Sequence, residues 1–267
     1  MFSLAFDQAL SARKGFRVQQ IFFLQPEWHD KLPSTSKMIL ERIKSGENIP
    51  SGFVLATLEQ TAGHGRFDRH WFSKPGKDLT FSFLMETRAD IKQLASLSMA
   101  VALGVASALD TFGVHSYTKW PNDLLVKGKK ICGIIVEECH GPPFHGEAAV
   151  VGVGLNVNMS PEDAKNIERP VTSTFIETGE NYLLKTVLDT ILQMLPDLLS
   201  LWEDEGFAGI RDDWTLRSSC IGKTVSVVSG KQRKTGILMG FGEWGQMLVR
   251  SEDGSTHNIW GGELESN

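Results

Sequence analysis

Lys119-Trp120-Pro121-Asn122-Asp123 is the most informative pentapeptide of this chain. It lies where one short predicted strand ends and another begins. An aromatic residue and a proline fix the backbone beside Lys119, so the ammonium is held as an anion clamp would require. The same residues allow a simpler interpretation, in which Lys119 extends its aliphatic stem over Trp120 and keeps its charge in water.

A glycine loop, residues 60–71, offers a second set of cations. Its sequence is Gln60-Thr61-Ala62-Gly63-His64-Gly65-Arg66-Phe67-Asp68-Arg69-His70-Trp71, directly after a predicted strand. Two glycines one residue apart let a backbone approach a ligand closely and direct N–H groups at it. Arg66 and Arg69 suit a carboxylate or phosphate, and Trp71 offers a face for a purine. The alternative is an ordinary surface loop, because this is neither a Walker A loop nor the dinucleotide fingerprint.

A third stretch, Gly152-Val153-Gly154-Leu155-Asn156-Val157-Asn158, ends a predicted strand in two asparagines. An asparagine amide at such a place can bind the edge of a base. It can equally well close a turn. Both interpretations stay open at this point.

Hydrophobic spacing predicts a mixed α+β architecture. β-Branched or aromatic runs bounded by turn residues are predicted strands, namely Arg17–Leu24, Gly52–Glu59, Leu79–Glu86, Lys129–Cys139 and Glu147–Val157. Helices are predicted over Thr35–Lys44 and over Ile91–Phe112, the second capped by Asp90 and stopped by Gly113. Lys127-Gly128 predicts a hairpin turn, which implies antiparallel pairing.

The pattern changes after Asn158. Tyr182–Trp202 has apolar residues at helical spacing, and we expect Pro196 to kink or divide this helix. From about Ser218, short alternating runs separated by Ser229-Gly230 and Asp253-Gly254 predict a small β-barrel. The predicted domains are therefore residues 1–217 and residues 218–267.

Composition excludes several classes of protein. The chain has 267 residues, of which 41% are hydrophobic and 22% charged, close to globular averages. The net charge of −5 gives no reason to expect nucleic acid or an anionic membrane as partner. The most apolar stretch, Met99–Leu109, is shorter than the roughly 20 residues of a spanning helix. Three cysteines without metal-ligand spacing, and no basic secretory start, fit the cytoplasm.

Together these motifs resemble biotin protein ligase. The glycine loop, Lys-Trp-Pro-Asn-Asp, Lys130-Ile131-Cys132-Gly133-Ile134-Ile135-Val136-Glu137 and Gly-x-Gly-x-Asn follow one another as in that family, over roughly Ser34 to Asn158. The resemblance implies a class II synthetase-like catalytic fold over residues 1–217, with a mixed, largely antiparallel sheet packed by helices. It also implies that residues 218–267 form an SH3-like barrel.

The resemblance further implies two sets of binding residues. The biotin-binding residues would be Ser34, Thr35, Ser36, Gln60, Gly63, His64, Gly65, Arg66, Lys119 and Gly133. The nucleotide-binding residues would be Arg66, Arg69, Trp71, Lys119 and Asn156. Arg66 and Lys119 would be catalytic, and no metal ligand is expected. His64 and Ser36 stand where the family often has Arg and Asn, so we expect the loop to lose some ordering force, and a loop histidine is more often only solvated.

The implied reaction joins biotin to a lysine of a biotin carboxyl carrier protein through biotinyl-5′-adenylate, with ATP and Mg²⁺. Two alternatives are a lipoate or octanoate ligase or transferase on the same fold, and a non-catalytic adaptor that binds carrier domains. Only 33 residues precede Ser34, so we expect no winged-helix DNA-binding domain. A homodimer stays open.

Overall fold

A large mixed sheet, a layer of helices and a smaller C-terminal sheet make up the fold. A computed structural model describes residues 21–140, 144 and 146–266. Within these residues the large sheet has the strand order β1-β2-β3-β7-β6-β5-β4. Its strands are β1 (Glu27–His29), β2 (Val54–Thr57), β3 (Leu79–Thr87), β4 (Tyr117–Lys119), β5 (Asp123–Val126), β6 (Lys129–Cys139) and β7 (Glu147–Leu155). Every neighbouring pair is antiparallel except β1 and β2, which confirms the predicted sheet type.

The first predicted strand, Arg17–Leu24, needs correction. Residues 17–20 lie outside the described residues, and residues 21–24 belong to no strand. The sheet begins instead at β1, after Pro26, which has no backbone N–H to donate to a neighbouring strand. The predicted hairpin at Lys127-Gly128 is confirmed, with positive φ values of 50° and 79° at its two residues.

Helix α2 (Leu94–Thr111) is the buried centre of the helical layer. A short 3₁₀ turn precedes it, and the Asp90 side chain caps that turn by accepting the Lys92 N–H. The apolar helical segment Ile91–Thr111 is longer than Met99–Leu109, the most apolar stretch identified from the sequence, and it is long enough to cross a membrane. However, 78% of its most apolar window is buried inside the fold. An apolar surface on all sides is typical of a helix at the centre of a large core.

Pro196 does not divide its helix. The other helices are α1 (Thr35–Lys44), α3 (Pro161–Ala164), α4 (Thr174–Thr178), α5 (Leu184–Glu205) and α6 (Phe207–Arg217). Helix α5 is continuous through Pro196, so this prediction of a division is wrong. Leu195, Leu198 and Leu199 on either side of the proline are buried in the main core, where α5 packs against α2. Their burial offsets the single backbone hydrogen bond that proline removes.

The C-terminal sheet is antiparallel and has the strand order β11-β10-β9-β8-β12. Its strands are β8 (Thr224–Ser229), β9 (Gln232–Phe241), β10 (Met247–Arg250), β11 (Thr256–Ile259) and β12 (Glu263–Ser266). Among the described residues β11 and β12 are the two ends of this order, so closure into a barrel stays a prediction. The inner residues Val225, Leu238 and Leu264 share one hydrophobic core with α2. The domain boundary at residues 217 and 218 likewise stays a prediction.

Candidate active site

A cavity of about 620 Å³ lies between the glycine loop, the N-terminus of α1, strands β6 and β7, and the start of β12. A volume of this size suits an organic ligand. It is lined by Ser34, Thr35, Ser36, Gln60, His64, Gly65, Arg66, Arg69, Trp71, Lys119, Gly133 and Asn156 among the predicted residues. Gly63 is the exception, because it is buried and does not line the cavity.

The hydroxyl corner, formed by residues 34–36, 60 and 82, is a cluster of uncharged polar side chains, of which residues 34–36 and 60 line the cavity. The Thr35 N–H donates to Gln60 Oε1 at 2.8 Å, and the Thr35 hydroxyl donates to the same oxygen at 3.2 Å. Ser82 Oγ on β3 lies 2.7 Å from Thr35 Oγ1 and 2.9 Å from Ser36 Oγ. Because a backbone N–H can only donate, Oε1 must face Thr35 and the Gln60 amide nitrogen must face away.

His64 is more than a solvated loop residue. Its side chain is only 18% exposed. Nδ1 lies 3.4 Å from Ser34 Oγ, and Nε2 lies 3.4 Å from Oε1 of Glu137 on β6. The other carboxylate oxygen of Glu137 is buried and has no partner among the described residues. The imidazole therefore lies between α1 and β6 and links the glycine loop to both elements.

Arg66 brings a positive charge from the glycine loop to the cavity. Its Nη1 donates to Oδ1 of Asn122 at 3.2 Å. Burial lowers the pKa of the Arg66 guanidinium, while the carboxylates of Asp123 and Glu263 oppose that shift. An arginine remains protonated under these conditions, so its charge is held in a partly desolvated place where an anionic ligand would be attracted strongly.

Lys119 brings a second positive charge from the end of β4. Its side chain is half-buried at the cavity wall. Within the part of the chain that the structure describes, Nζ forms no hydrogen bond or ion pair, so it is available to a ligand. The neighbouring Trp120 is buried, and its Nε1 donates to the carbonyl oxygen of Gly245 at 2.9 Å. This contact anchors the pentapeptide on the C-terminal sheet. The peptide bond between Trp120 and Pro121 is cis.

Trp71 lies over two glycines of neighbouring strands. A Cβ added at Gly154 on β7 would overlap the indole ring, and one added at Gly133 on β6 would lie 3.2 Å from its Cζ3 atom. Lys130 Nζ is 5.6 Å from the ring centroid and 2.6 Å from Oδ1 of Asp123. The lack of side chains at these glycines therefore creates the space for the ring, and Lys130 is a further cation beside it.

The glycine loop is partly closed by its own backbone. The Gly65 N–H donates to the Arg69 carbonyl oxygen at 2.8 Å, and the Trp71 N–H donates to the Gly63 carbonyl oxygen at 3.0 Å. The expectation that the glycine N–H groups point at a ligand is therefore wrong for Gly65, whose N–H is already bonded within the loop. Between these contacts Phe67 has a positive φ of 58°, an uncommon conformation for a residue with a bulky side chain.

Asn156 is buried at the end of β7. Its Nδ2 donates to the Thr172 carbonyl oxygen at 2.9 Å and approaches the Lys130 carbonyl oxygen at 3.4 Å. The amide thus joins the end of β7 to β6 and to the segment at Thr172, through partners 26 and 16 residues away, and these bonds do not close a local turn. Contact with a base, which stays a prediction, would fall to Oδ1 because the amide nitrogen is already engaged.

Comparison with known proteins places this site in a family. A model described as the biotin/lipoate A/B protein ligase family matches residues 28–157. The bifunctional ligase/repressor BirA of Escherichia coli (strain K12) is 30% identical over 238 residues, which cover 87% of this chain and 71% of BirA. This chain belongs to that ligase family.

Further relatives agree with this family assignment. The biotin--[acetyl-CoA-carboxylase] ligase of Paracoccus denitrificans is 30% identical over 229 residues, covering 84% of this chain and 94% of that protein. The biotin protein ligase from Aquifex aeolicus, solved in complex with biotin and ATP, has a TM-score of 0.77 and 28% identity, covering 91% of this chain and 98% of that one. The expected ligase fold is thereby confirmed.

The ligase-family match ends before two residues that the sequence did not single out. Glu263 on β12 and Arg169 both line the cavity but lie beyond the matched residues 28–157. Glu263 is bonded to Arg69 and to Arg169. Neither residue belongs to a recognisable motif, and only the chain's fold brings them to the glycine loop. Ser82 was missed as well, because it has the pattern of an ordinary strand residue, and Lys130 was recognised only as part of a motif, without a role of its own.

Proposed function

We propose that this protein attaches biotin to a lysine of a biotin carboxyl carrier protein, using ATP and a biotinyl-5′-adenylate intermediate. Two relatives that match most of the chain are named biotin--[acetyl-CoA-carboxylase] ligase. The observation that carries the proposal for the site is that Arg66 and Lys119, from separate elements, line one cavity together with the hydroxyl corner. Two cations and a polar end match a ligand with a carboxylate at one end and a urea at the other.

The hydroxyl corner is proposed to bind the ureido ring of biotin. The fixed orientation of Gln60 presents two N–H donors away from Thr35. Ser34 and Ser36 add hydroxyl groups that can donate or accept. A buried urea needs such partners, because each unpaired polar group costs about 1–3 kcal/mol. A plain acyl chain, by contrast, would bring no polar group to this corner.

The first chemical step makes the adenylate. An oxygen of the biotin carboxylate forms a bond to the α-phosphorus of ATP, the bond from that phosphorus to the bridging oxygen breaks, and pyrophosphate leaves. Negative charge accumulates where the two anions meet, and Arg66 and Lys119 are proposed to neutralise it. Loss of one such positioned donor typically costs about 2.7–4 kcal/mol of transition-state stabilisation. Trp71 and Asn156 are proposed to contact the adenine, and Arg69 the phosphates.

Mg²⁺ is proposed to accompany ATP. Among the described residues no three His, Cys, Asp or Glu side chains come together as a metal site. The carboxylates of Asp123 and Glu168 line the cavity. Mg²⁺ commonly takes one or two carboxylates and completes its shell with substrate phosphates and water. These residues therefore fit an ion that arrives with the nucleotide, where it would supply further neutralising charge.

The second step transfers the biotinyl group. The neutral amine of a carrier lysine attacks the carbonyl carbon of the adenylate, an amide bond forms, and AMP leaves with the electron pair of the broken anhydride bond. At pH 7 the neutral form of an unperturbed lysine lies about 4.6 kcal/mol above the charged form. The carrier's own surroundings or a group of this protein must therefore accept that proton.

Three further properties are proposed. Cys132, Cys139 and Cys220 are free thiols, which fits a reducing cytoplasm. The net charge of −5 argues against a nucleic-acid partner. A homodimer is kept as a hypothesis, and analytical ultracentrifugation with and without biotin and ATP would test it.

One assay distinguishes the ligase from its two alternatives. Purified protein is incubated with ATP, Mg²⁺ and either biotin, octanoate or lipoate, and pyrophosphate release is measured. Release that depends on biotin, followed by biotin transfer to a carrier domain, supports the proposal. Release only with octanoate or lipoate would assign the protein to the lipoate class, whereas no release with any acid would favour a non-catalytic adaptor.

A further inference from the structure

Glu263, the first residue of β12, ties three segments together at the cavity wall. It forms a two-point pair with Arg69 of the glycine loop, in which one hydrogen bond is 2.8 Å long and the other joins Nη2 to Oε2. Nη1 of Arg169 lies 3.2 Å from the same carboxylate. Arg169 belongs to the connector, residues 167–171, which also lines the cavity. One carboxylate therefore holds the loop, the connector and the C-terminal strand.

More positive charge surrounds Glu263 than these two arginines supply. Lys119 also acts on its carboxylate, and Glu263 in turn acts on the Arg66 guanidinium. Hydrogen bonding to Arg69, reinforced by the neighbouring charges, lowers the pKa of Glu263 to about 2 despite partial burial. The carboxylate is therefore ionised at neutral pH. Its side chain is 33% exposed, so a dissolved anion can reach the same cations.

We propose that Glu263 occupies, in the nucleotide-free protein, the place that the polyphosphate of ATP takes on binding. This inference rests on the proposed function, which assigns the phosphates to Arg66, Arg69 and Lys119. A polyphosphate carries several negative charges and many acceptor oxygens, whereas a carboxylate carries a single charge. The two anions compete because a guanidinium bonded at two points to one of them has few donors left for the other.

The competition has two consequences for the reaction cycle. Glu263 lowers the affinity for nucleotide, because the phosphates must displace it. Its return to Arg69 and Arg169 favours release of pyrophosphate. Main-chain pairing of β12 with β8, in which Glu263 stands opposite Val228, is independent of the side chain. The C-terminal sheet therefore keeps its structure while the ion pair between Glu263 and Arg69 of the glycine loop breaks and re-forms.

Charge-neutral variants of one strand provide a matched test. Glu263→Gln removes the competing charge and keeps the size of the side chain. Glu265→Gln is the control, because Glu265 lies two residues further along β12, is 47% exposed and pairs with Arg233 at 2.6 Å, outside the cavity lining. Binding of inorganic tripolyphosphate, of ATP and of adenosine is measured by calorimetry without Mg²⁺ and without biotin.

We expect Glu263→Gln to bind tripolyphosphate and ATP about three- to tenfold more tightly, the range of a partly exposed ion-pair network. Glu265→Gln should stay within about twofold of wild type. Adenosine should bind all three proteins equally, since it carries no phosphate. Glu263→Ala is the second variant if Glu263→Gln shows an altered unfolding transition.

Unchanged or weaker binding of tripolyphosphate by both variants at position 263 would overturn the inference. Equal tightening by Glu265→Gln would do the same, because it would show a general effect of charge. If tightening occurs but biotin-dependent pyrophosphate release does not, the competition stands and the proposed ligase function fails. The ATP titrations are then repeated with Mg²⁺; if Glu263→Gln binds ATP more weakly than wild type under that condition, Glu263 is a metal ligand in the complex and the inference is overturned.

Discussion

Nη1 of Arg66 lies 3.2 Å from Oδ1 of Asn122, and this hydrogen bond joins the glycine loop to the Lys-Trp-Pro-Asn-Asp motif. Asn122 is itself anchored, because its Nδ2 donates to the Ile134 carbonyl oxygen on β6 at 2.6 Å. Lys119 is three residues away in the same motif. The asparagine thus explains how cations from two separate segments come to line the same cavity.

Asn122→Ala should impair the first step of the reaction. The change leaves Arg66 without its acceptor, and a hydrogen bond to a charged group contributes about 1.5–3 kcal/mol. We therefore expect biotin-dependent pyrophosphate release to slow by about 10- to 100-fold. Asn166→Ala is the matched control, because that exposed amide bonds only to the Glu162 carbonyl oxygen at 3.2 Å among the described residues. An unaltered rate in Asn122→Ala would contradict the anchoring role.

Lys119→Ala should slow adenylate formation by about 10²–10³-fold, because it removes a positioned cation from the reacting anions. The measurement is single-turnover formation of the adenylate from biotin and ATP. Lys231→Ala is the control: Lys231 lies in the exposed turn between β8 and β9, outside the cavity lining. This variant also removes one positive charge, and its rate should stay near that of wild type. Equal rates for both variants would exclude Lys119 from the site.

Gly154→Ala should weaken nucleotide binding more than Gly133→Ala. A methyl group at position 154 overlaps the Trp71 ring, so the indole must move. At position 133 the nearest atom is the flexible end of Lys130, at 2.9 Å, and it can shift. Loss of an aromatic stacking partner corresponds to up to about tenfold in the ATP dissociation constant, which calorimetry would measure. An unchanged ATP dissociation constant in Gly154→Ala would argue against stacking on Trp71.

Asp78→Asn should change how stability depends on pH. Burial raises the pKa of Asp78 to about 6, although its oxygens accept the Lys74 N–H at 3.0 Å and the Val157 N–H at 3.2 Å. Because the folded state then binds the proton more tightly than the unfolded state, the wild type loses stability as pH rises from about 4 to about 6. The variant lacks this loss, which amounts to at most about 3 kcal/mol.

Urea unfolding at about pH 4, 5.5 and 7 would measure this linkage. The stability of wild type relative to Asp78→Asn should be greatest at the lowest pH and should level off above about pH 6. Curves that stay parallel over the whole range would show that the Asp78 carboxyl titrates normally in the folded protein.

Local patterns were sufficient for the long elements of the core. Helix α2 was predicted because its apolar residues recur at helical spacing, and strands β3, β6 and β7 because their β-branched and aromatic residues form runs bounded by turn residues. At Pro196 the predicted division of the helix is wrong, because a local propensity was outweighed by leucines that pack against another helix; a kink at Pro196 stays a prediction. The strand predicted over Arg17–Leu24 is wrong for residues 21–24, which belong to no strand, whereas residues 17–20 lie outside the described residues.

The order of the motifs along the sequence was sufficient to predict the residue types of the site. Glycines, arginines and the Lys119 turn lie within short segments, and short segments carry their conformational preferences with them. Asn122, Ser82 and Lys130 were not assigned roles, because a side chain's partner across a sheet is not encoded in its neighbours along the chain.

The linear order of residues is enough to establish the family and the class of fold and to predict which cations carry the chemistry, since these depend on short-range spacing and on motifs. Folding alone brings Glu263 to Arg69, which precedes it by 194 residues. An ion pair of that kind depends on how the C-terminal sheet packs against the rest of the core, and packing is a property of many weak contacts acting together.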